Sequence, residues 1–437
     1  MTDDRDPLVR TSFRRGARLA SLPLGFAGRA TVGLGRRIGG ASAEQVGAQL
    51  QQAAAEQLFR VLGDLKGGAM KFGQALSLFE SVLPEEIAAP YREQLTRLQA
   101  DAPPMPVSRV HAVLRRELGV SWRDLFASFD PQPAAAASIG QVHRATWRDG
   151  RAVAVKVQYP GADEALRSDL RQIRRLSKVF APLAAGMEVA PLVDELVERI
   201  GEELDYTVEA ASQQQAAEGF AGSAEFLVPA VLASTSKVMV SEWVEGQPLS
   251  SAVLLSEEER NRLGLSYVRF LFAGPREVGL LHADPHPGNF RITPDGRLGV
   301  VDFGLVARLP DGLPRAMGTI LRIARNGNPE QVAAELHREG FVAADVDPAD
   351  LWDYLAPFVE PAAVPVFQFN REWMREQFLR VRDPSASGGM AFQINLPPSY
   401  LLIHRVWLGG LAVLSQLNVR AAFGDVLEEF LPGYAQV

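Results

Sequence analysis

The sequence predicts an α+β fold in which a helical N-terminal extension precedes a domain of mixed strands and helices. Three features of the 437-residue chain support this prediction. Residues 42–64 are rich in Ala, Gln and Leu, and helical patterns continue to residue 118. Residues 124–158 contain strand-like segments with β-branched side chains, and mostly helical patterns follow residue 254. Strands and helices that are segregated along a chain in this way are typical of α+β folds.

The extension divides into several predicted helices. Residues 42–64, 69–79 and 84–98 are each predicted as a helix, with a break at Gly67-Gly68 between the first two. A further helix is predicted at residues 107–118, immediately before the mixed domain begins.

The mixed domain contains four predicted strands, at residues 126–129, 138–147, 151–158 and 237–243. A long helix is predicted at residues 191–217, because Pro191 stands in its first turn and acidic residues follow. A short hairpin is predicted at residues 290–302, with Pro294-Asp295-Gly296 as its turn.

Composition excludes several classes of function. The absence of cysteine excludes disulfides, thiolate metal sites, iron–sulfur clusters and a cysteine nucleophile. The 45 Lys and Arg residues against 52 Asp and Glu residues give a net charge of −7, so we predict no nucleic-acid partner. Residues 400–417 come nearest to a membrane span, but they contain His404 and Arg405, which favours a packed C-terminal helix.

An arginine-rich arm begins the chain. Residues 7–43 contain seven arginines and no acidic residue, with Leu and Phe side chains between them. This pattern fits a segment attracted to anionic lipid, and it fits equally a tail with no partner. We predict a cytoplasmic protein that associates peripherally with the inner face of the membrane.

The strongest chemical pattern is His282-Ala-Asp284-Pro-His-Pro-Gly-Asn289, followed by Asp302-Phe-Gly304. An Asp and an Asn five residues apart, then a hairpin, then Asp-Phe-Gly, is the layout of a kinase catalytic loop and metal-binding loop. Asp284 is the predicted catalytic carboxylate that orients or deprotonates the phosphoryl acceptor. Asn289 and Asp302 offer the hard oxygen ligands that Mg²⁺ prefers. Two unrelated loops with capping aspartates are the alternative, which the spacing of both motifs disfavours.

A lysine upstream completes the predicted catalytic set. Val153-Ala-Val-Lys156 resembles the strand lysine that bridges nucleotide phosphates and a helix glutamate in kinases. Only five of the 45 cations are lysines, so a lysine here carries weight, although an exposed strand lysine remains an alternative. Several acids of the predicted 191–217 helix could pair with it: Glu195, Glu198, Glu202, Glu203 and Glu209.

Two further segments are expected to contact the nucleotide. The residues Glu242, Trp243 and Val244 follow a predicted strand and occupy the place of the hinge that holds adenine. The phosphate-covering loop of kinases should be glycine-rich, but Ala134 to Ala137 and then Ser138 stand in its place. The methyl groups restrict close backbone approach to phosphate, so we predict a modified nucleotide loop, with a helical turn as the alternative.

The segment after Asp-Phe-Gly departs from protein kinases. Residues 305–318 contain no Ser, Thr or Tyr, and no Ala-Pro-Glu follows them. Phosphorylation therefore cannot order this segment, and much of the usual peptide platform is missing. A small molecule or water is the predicted phosphoryl acceptor.

These motifs together resemble the UbiB family of atypical, aarF-domain kinases, from about residue 60 to the C-terminus. Lys71-Phe-Gly73-Gln74 looks like the K-x-G-Q motif of that family, and residues 137–143 look like its alanine-rich loop. Glu203-Leu-Asp205-Tyr206 with Glu209 is similar to its E-x-D helix, and His282-Ala-Asp284 stands where that family has replaced His-Arg-Asp.

The resemblance implies a two-lobed protein-kinase-like fold whose N-terminal helices cover the active site. Lys71, with Gln74 beside it, would then reach toward Glu203 and Asp205, and Lys156 would pair with Glu209. The implied domains are an arm at 1–41, the helical extension at 42–123, an N-lobe at 124–245 and a C-lobe at 246–437.

The resemblance also implies ATP or ADP and Mg²⁺ as cofactors and a role in isoprenoid-quinone biosynthesis. The implied partners are lipid-quinone precursors and quinone-biosynthesis enzymes at the membrane. Two other functions remain open. A protein Ser/Thr kinase is disfavoured by the segment after Asp-Phe-Gly, and a nucleotide-binding pseudokinase scaffold is disfavoured because Lys156, Asp284, Asn289 and Asp302 are all present.

Overall fold

The structure is a computed structural model, and it describes residues 104–137, 139–163, 201, 204–343, 345–382, 394–395 and 397–435. The predicted arm and the helices before residue 104 lie outside the described residues. So do four of the predicted site residues: Lys71, Gln74, Ser138 and Glu203.

The first described elements are helix α1 (Val107–Leu118), as predicted, and three strands, β1 (Phe126–Ala137), β2 (Gly140–Trp147) and β3 (Ala152–Gln158). The alanine run ends strand β1 in an extended conformation, so the alternative of a helical turn at 134–137 is wrong. A turn at Arg148–Gly150 connects β2 and β3, and Gly150 supplies its positive φ of 94°.

Strand β3 places Lys156 by simple alternation. Val153, Val155 and Val157 are fully buried on one face, so Lys156 projects from the opposite face. The strand pairs antiparallel with β6 (Val238–Glu242), where Lys156 stands opposite Met239. A five-stranded sheet results, in the order β1–β2–β3–β6–β5, with β5 at Val231–Ser234.

Helix α2 spans Tyr206–Gly219, and this corrects the prediction of one continuous helix over residues 191–217. Leu204 is a turn residue and Asp205 is extended, with φ −121° and ψ 101°. Asp205 accepts a hydrogen bond from the backbone N–H of Thr207 at 3.0 Å, which caps the new helix. The prediction failed because a short acidic residue inside a helical pattern can also start a helix.

The strands that follow form two small sheets. Strands β4 (Phe226–Leu227), β7 (Gln247–Pro248), β9 (Phe290–Ile292) and β10 (Leu298–Val300) form a sheet in the order β4–β10–β9–β7. The predicted hairpin is thus β9–β10, with Gly296 at φ 83° in its turn. Strands β8 (Leu280–His282) and β11 (Val306–Arg308) form a separate antiparallel pair.

Helices dominate the rest of the chain, as predicted. Helix α3 (Glu257–Val278) is capped by Ser256 and ends at Gly279, whose φ is 66°. The later helices are α4 (Arg315–Arg325), α5 (Pro329–Arg338), α6 (Pro348–Ala363), α7 (Arg371–Arg382), α8 (Pro398–Leu417) and α9 (Phe423–Phe430), and strands β12 (Phe367–Gln368) and β13 (Arg420–Ala421) pair between them.

Helix α8 is the predicted C-terminal helix. Its Tyr400–Leu417 segment does reach the length and mean hydropathy of a membrane span, contrary to the expectation from its polar residues. However, 56% of the segment is buried inside the protein, and Ile403, Val406 and Leu414 line a cavity whose other lining side chains are also apolar. A buried core helix has the same composition, so length and hydropathy alone do not indicate a span.

The chain divides into two compact units. One comprises Met1–Val110, Ala135–Gln141 and Gln158–Leu204, and the other comprises His111–Ala134, Val142–Val157 and Asp205–Val437. Within the described part of the first unit, Gln141 Oε1 accepts from Met105 N at 2.8 Å, and Gln158 Nε2 donates to Leu204 O at 3.1 Å. The second unit contains the cluster described next. The four predicted domain ranges stay a prediction.

Candidate functional site

Lys156 lies at the centre of an ion-pair cluster. Its Nζ donates to both carboxylate oxygens of Glu209, at 2.7 and 2.9 Å, and to Asp302 Oδ1 at 3.3 Å. The side chains of Lys156 and Glu209 are 13% and 4% exposed, whereas that of Asp302 is 41% exposed. The cluster is therefore buried at its glutamate and open at its aspartate.

The charge of Lys156 is stabilised in this cluster. Burial alone would lower the pKa of its ammonium, but the nearby carboxylates of Asp302 and Glu209 outweigh burial and raise the pKa above its ordinary value. Among these three side chains, two carboxylates share one ammonium group.

Asp302 has an unusual backbone. Its φ is 64°, in the left-handed region that non-glycine residues rarely adopt. The carboxylate compensates in part, because Oδ1 accepts from the backbone N–H of Gly304 at 3.2 Å. A Cβ at Gly304 would lie 3.1 Å from that oxygen, so glycine leaves room for the aspartate.

His282 connects the two predicted loops. Its Nε2 lies 3.0 Å from the carbonyl oxygen of Asp302, and because a carbonyl only accepts, the proton is on Nε2. Burial lowers the pKa of His282, which keeps the imidazole neutral at pH 7. The backbone N–H of Ala283 also donates to Leu305 O at 2.9 Å, and that of Val301 donates to Asn289 O at 2.9 Å. The loops of Asp284 and Asp302 are thus joined to each other.

The catalytic candidate Asp284 is held at both carboxylate oxygens. Asn289 Nδ2 donates to Oδ2 at 2.8 Å, and the guanidinium of Arg405 donates to Oδ1 at 3.0 Å. Because the amide nitrogen of Asn289 is used in this way, its carbonyl oxygen is the group that can ligate a metal. The loop that carries Asp284 is also held by Tyr267, whose hydroxyl donates to Pro285 O at 2.8 Å.

Arg405 was not predicted as a site residue. It comes from helix α8, 121 residues after Asp284, and its Nε also donates to Ala283 O at 3.0 Å. The one signal in the sequence was a charged residue inside a mostly apolar helical segment. A guanidinium in such a place requires an anionic partner, but periodicity does not identify the partner.

The predicted hinge follows strand β6. The backbone N–H groups of Glu242 and Trp243 donate to Ala230 O and Ala152 O, both at 2.9 Å. Within the described part of the chain, the N–H of Val244 makes no hydrogen bond. The Val244 N–H is therefore a donor that remains for an adenine base.

The structure brings some predicted site residues together and not others. Lys156, Glu209 and Asp302 form one cluster, and Asp284 with Asn289 forms the second, connected to the first through His282 and Asp302. Asp205 caps helix α2, and its predicted partner Lys71 lies outside the described residues. Ala137 is buried at the end of β1 and belongs to the other compact unit.

The residues present fit a magnesium nucleotide. The Asn289 amide and the Asp302 carboxylate supply hard oxygens of the kind that Mg²⁺ selects. Among the described residues no group of three or more His, Cys, Asp or Glu could hold a metal by itself. Mg²⁺ bound chiefly through substrate phosphates needs only one or two protein ligands.

Comparison with known proteins agrees with this geometry. The family model described as ABC1 atypical kinase-like domain matches residues 97–337. The Arabidopsis thaliana chloroplast protein ACTIVITY OF BC1 COMPLEX KINASE 3 is 32% identical over 374 residues, which are 83% of this chain and 51% of that protein. The mitochondrial atypical kinase COQ8B of Rattus norvegicus is 32% identical over 351 residues, which are 75% of this chain and 63% of that protein. The chain thus spans about half of the first relative and under two thirds of the second.

A solved structure is also similar. It is the complex of Rv3197 with erythromycin from Mycobacterium tuberculosis, with 44% sequence identity and a TM-score of 0.69. The similarity covers 91% of this chain and 100% of that one.

Proposed function

Since this chain belongs to the ABC1, or UbiB, family of atypical kinases, we propose that it binds ATP with Mg²⁺ and acts as a kinase or ATPase. We further propose that this activity supports isoprenoid-quinone biosynthesis at a membrane. The catalytic activity rests on the residues of the site, and the biosynthetic role rests on the family resemblance.

One observation carries the proposal: Lys156, Glu209 and Asp302 converge although they are 53 and 146 residues apart in sequence. A lysine held by a buried glutamate and an exposed aspartate is poised for phosphate oxygens. Asp302 and Asn289 would hold Mg²⁺, which would neutralise charge on the phosphates. Ala137, Ser138 and the hinge residues Glu242, Trp243 and Val244 remain proposed nucleotide contacts.

Asp284 is the proposed catalytic carboxylate. It would orient the oxygen of an acceptor hydroxyl or of water so that this oxygen bonds to the γ-phosphorus as the bond to the leaving oxygen of ADP breaks. The proton that the acceptor loses passes to the carboxylate of Asp284, which then releases it to water. Lys156 acts on the phosphates and Asp284 on the acceptor, so their loss should affect binding and turnover differently.

The acceptor is proposed to be a small molecule or water. The segment 305–318 offers no hydroxyl for regulatory phosphorylation, and strand β11 within it pairs with β8 beside the catalytic loop. Lipid-quinone precursors and quinone-biosynthesis enzymes are the proposed partners, with peripheral attachment to the membrane. Lys71 keeps its proposed role of reaching into the cleft toward Glu203 and Asp205, with Gln74 in the same motif.

The test is nucleotide binding and hydrolysis by the purified full chain. We expect Mg-ATP to raise the melting temperature, and Lys156→Ala and Asp302→Asn each to abolish that rise. Lys237→Ala is the matched control, since Lys237 precedes strand β6 and is not part of the cluster. An unchanged rise in both site variants would refute the nucleotide site.

Hydrolysis should then be measured with and without anionic liposomes and quinone-precursor analogues. Stimulation by the analogue would support a lipid-quinone role, and its absence with intact ATP turnover would refute that role alone. Erythromycin is a useful added probe, because a 44% identical relative is described in complex with it. A phosphorylated protein product that Asp284→Asn abolishes would instead support a protein kinase, whereas nucleotide binding without any turnover would support a pseudokinase scaffold.

A further inference from the structure

Helix α8 delivers a single guanidinium to the catalytic loop. Within the Tyr400–Leu417 segment, Arg405 is the one residue that carries a full positive charge. Its side chain is only 12% exposed, and that of its partner Asp284 is 19% exposed. A guanidinium is costly to withdraw from water unless its donors are satisfied, so its presence in an apolar helix calls for an explanation.

The contact has two points on consecutive residues. Arg405 Nε donates to the backbone oxygen of Ala283, and a terminal nitrogen donates to Asp284 Oδ1, both at 3.0 Å. The planar guanidinium thus holds the backbone and the carboxylate in one fixed relationship. An ammonium group has no such fork, so Lys could reproduce the charge but not the geometry.

The second carboxylate oxygen is held from the other side. Asn289 Nδ2 donates to Asp284 Oδ2 at 2.8 Å. The carboxylate plane of Asp284 is therefore defined by two donors, one from helix α8 and one from the residue proposed to bind Mg²⁺. If Arg405 is removed, Asn289 alone cannot fix that plane.

We propose that Arg405 is a positioning residue that sets the orientation of Asp284 for the chemical step. This inference rests on the proposed function, because it assigns a partner to the proposed catalytic carboxylate. Arg405 acts through Asp284, so its loss should affect turnover more than nucleotide binding. Helix α8 is then part of the catalytic machinery as well as of the core.

The test compares Arg405→Met and Arg405→Lys with the full-length protein. We expect Arg405→Met to lower kcat for ATP turnover about 100-fold, the scale of a misplaced catalytic group, with less than about a threefold change in KM for Mg-ATP. Arg405→Lys should recover part of kcat. A merely structural arginine would give no such separation of kcat from KM.

Arg325→Met is the matched control. Arg325 also lies on a helix and pairs with a glutamate, Glu428, at 3.0 Å. We expect this variant to keep kcat while losing a similar or smaller amount of thermal stability. Retention of the Mg-ATP shift in melting temperature by Arg405→Lys would show that the variant is folded with its nucleotide site intact.

A double-mutant cycle completes the test. In an Asp284→Asn background, Arg405→Met should cause no further loss of turnover, because its effect requires the carboxylate. The inference would be overturned if the kcat losses of Arg405→Met and Asp284→Asn multiplied in the double variant, or if Arg405→Met had a normal kcat. Either result would leave the proposed function standing. If the wild-type protein turns over no ATP, the proposed function fails, and the inference fails with it.

Discussion

Lys156 and Asp302 are 146 residues apart in sequence, yet Lys156 Nζ lies 3.3 Å from Asp302 Oδ1. Lys156 is on strand β3 and Asp302 is on a loop, and the two elements are far apart in the sequence. The two side chains meet only when strand β3, helix α2 and the loops around β8 to β11 are packed in their native positions. The cluster is therefore a consequence of the tertiary fold, and its parts can be tested one at a time.

Removing the charge of Glu209 should weaken the interactions that hold the ammonium group of Lys156 in place. We expect Glu209→Gln to lower the free energy of unfolding by about 2 kcal/mol, because a buried cation loses one of its partners. The same change should weaken Mg-ATP binding about tenfold, since the lysine is less well positioned. Urea unfolding and nucleotide titration measure the two effects.

Glu218→Gln is the control for this prediction. Glu218 lies on the same helix α2, but it is exposed and accepts from the side chain of Gln214. We expect a change within about 0.5 kcal/mol and unaltered binding. Equal effects of the two variants would contradict a special role for Glu209.

The left-handed backbone of Asp302 leads us to expect that glycine is a more stable replacement there than alanine. Because φ is 64°, Asp302→Gly should unfold at a higher urea concentration than Asp302→Ala, with a difference of about 1 kcal/mol. Both variants lack the carboxylate, so both should lose the response to Mg-ATP. If alanine is the more stable replacement, the left-handed conformation of this residue is wrong.

The free energy of unfolding should decrease on acidification, because buried neutral histidines resist protonation in the folded protein. Burial lowers the pKa of His404 to about 4, while the ordinary value in the unfolded chain is 6.5. The unfolded chain therefore binds a proton between these values and the folded chain does not, so stability is full above pH 6.5 and decreases down to about pH 4. The loss from this residue amounts to about 3 kcal/mol, and His282 adds to it in the same direction.

His404→Phe isolates that effect. The difference in free energy of unfolding between this variant and the wild type at pH 8 reports packing alone. Between pH 6.5 and 4.5 the variant should lose less stability than the wild type. Parallel pH profiles would contradict a buried neutral His404.

The alanine loop predicts a change of nucleotide specificity. We expect Ala137→Gly to alter the preference between ATP and ADP or to raise self-phosphorylation, because glycine permits closer approach of backbone N–H groups to phosphate. Ala135→Gly is the control, since Ala135 is exposed in the same strand. If the two variants behave alike, the alanine run has only a structural role.

The arginine-rich arm predicts salt-sensitive membrane binding. Seven arginines without an acidic residue should bind anionic liposomes in flotation at low salt and release them as salt rises. Deletion of residues 1–40 should abolish this flotation. Neutral liposomes are the control, and binding that is indifferent to salt or to the deletion would contradict the prediction.

The local elements could be predicted from sequence because their signals are local. The strand that carries Lys156 and the hairpin between Asn289 and Asp302 follow from alternation and turn residues, and both occur as predicted. The break before helix α2 was missed because Asp205 fits both a helix interior and a cap. Caps are decided by one hydrogen bond, which composition does not reveal.

The partners of charged groups were harder to predict. Five acids on one predicted helix were open to Lys156 on the residue pattern, and the family resemblance alone singled out Glu209. The contact of Arg405 with Asp284 joins segments 121 residues apart, and nothing in local periodicity connects them. Long-range pairing is set by how the core packs, which a pattern of residue types does not specify.

The order of synthesis gives the Arg405 contact a further consequence. A ribosome adds about 5–20 residues per second, so Asp284 emerges roughly ten seconds before the arginine that holds it. During that interval the carboxylate of Asp284 lacks the guanidinium that holds it in the finished protein. Because Arg405 is proposed to position Asp284, a chain that has not yet added helix α8 should turn over ATP more slowly than the finished protein.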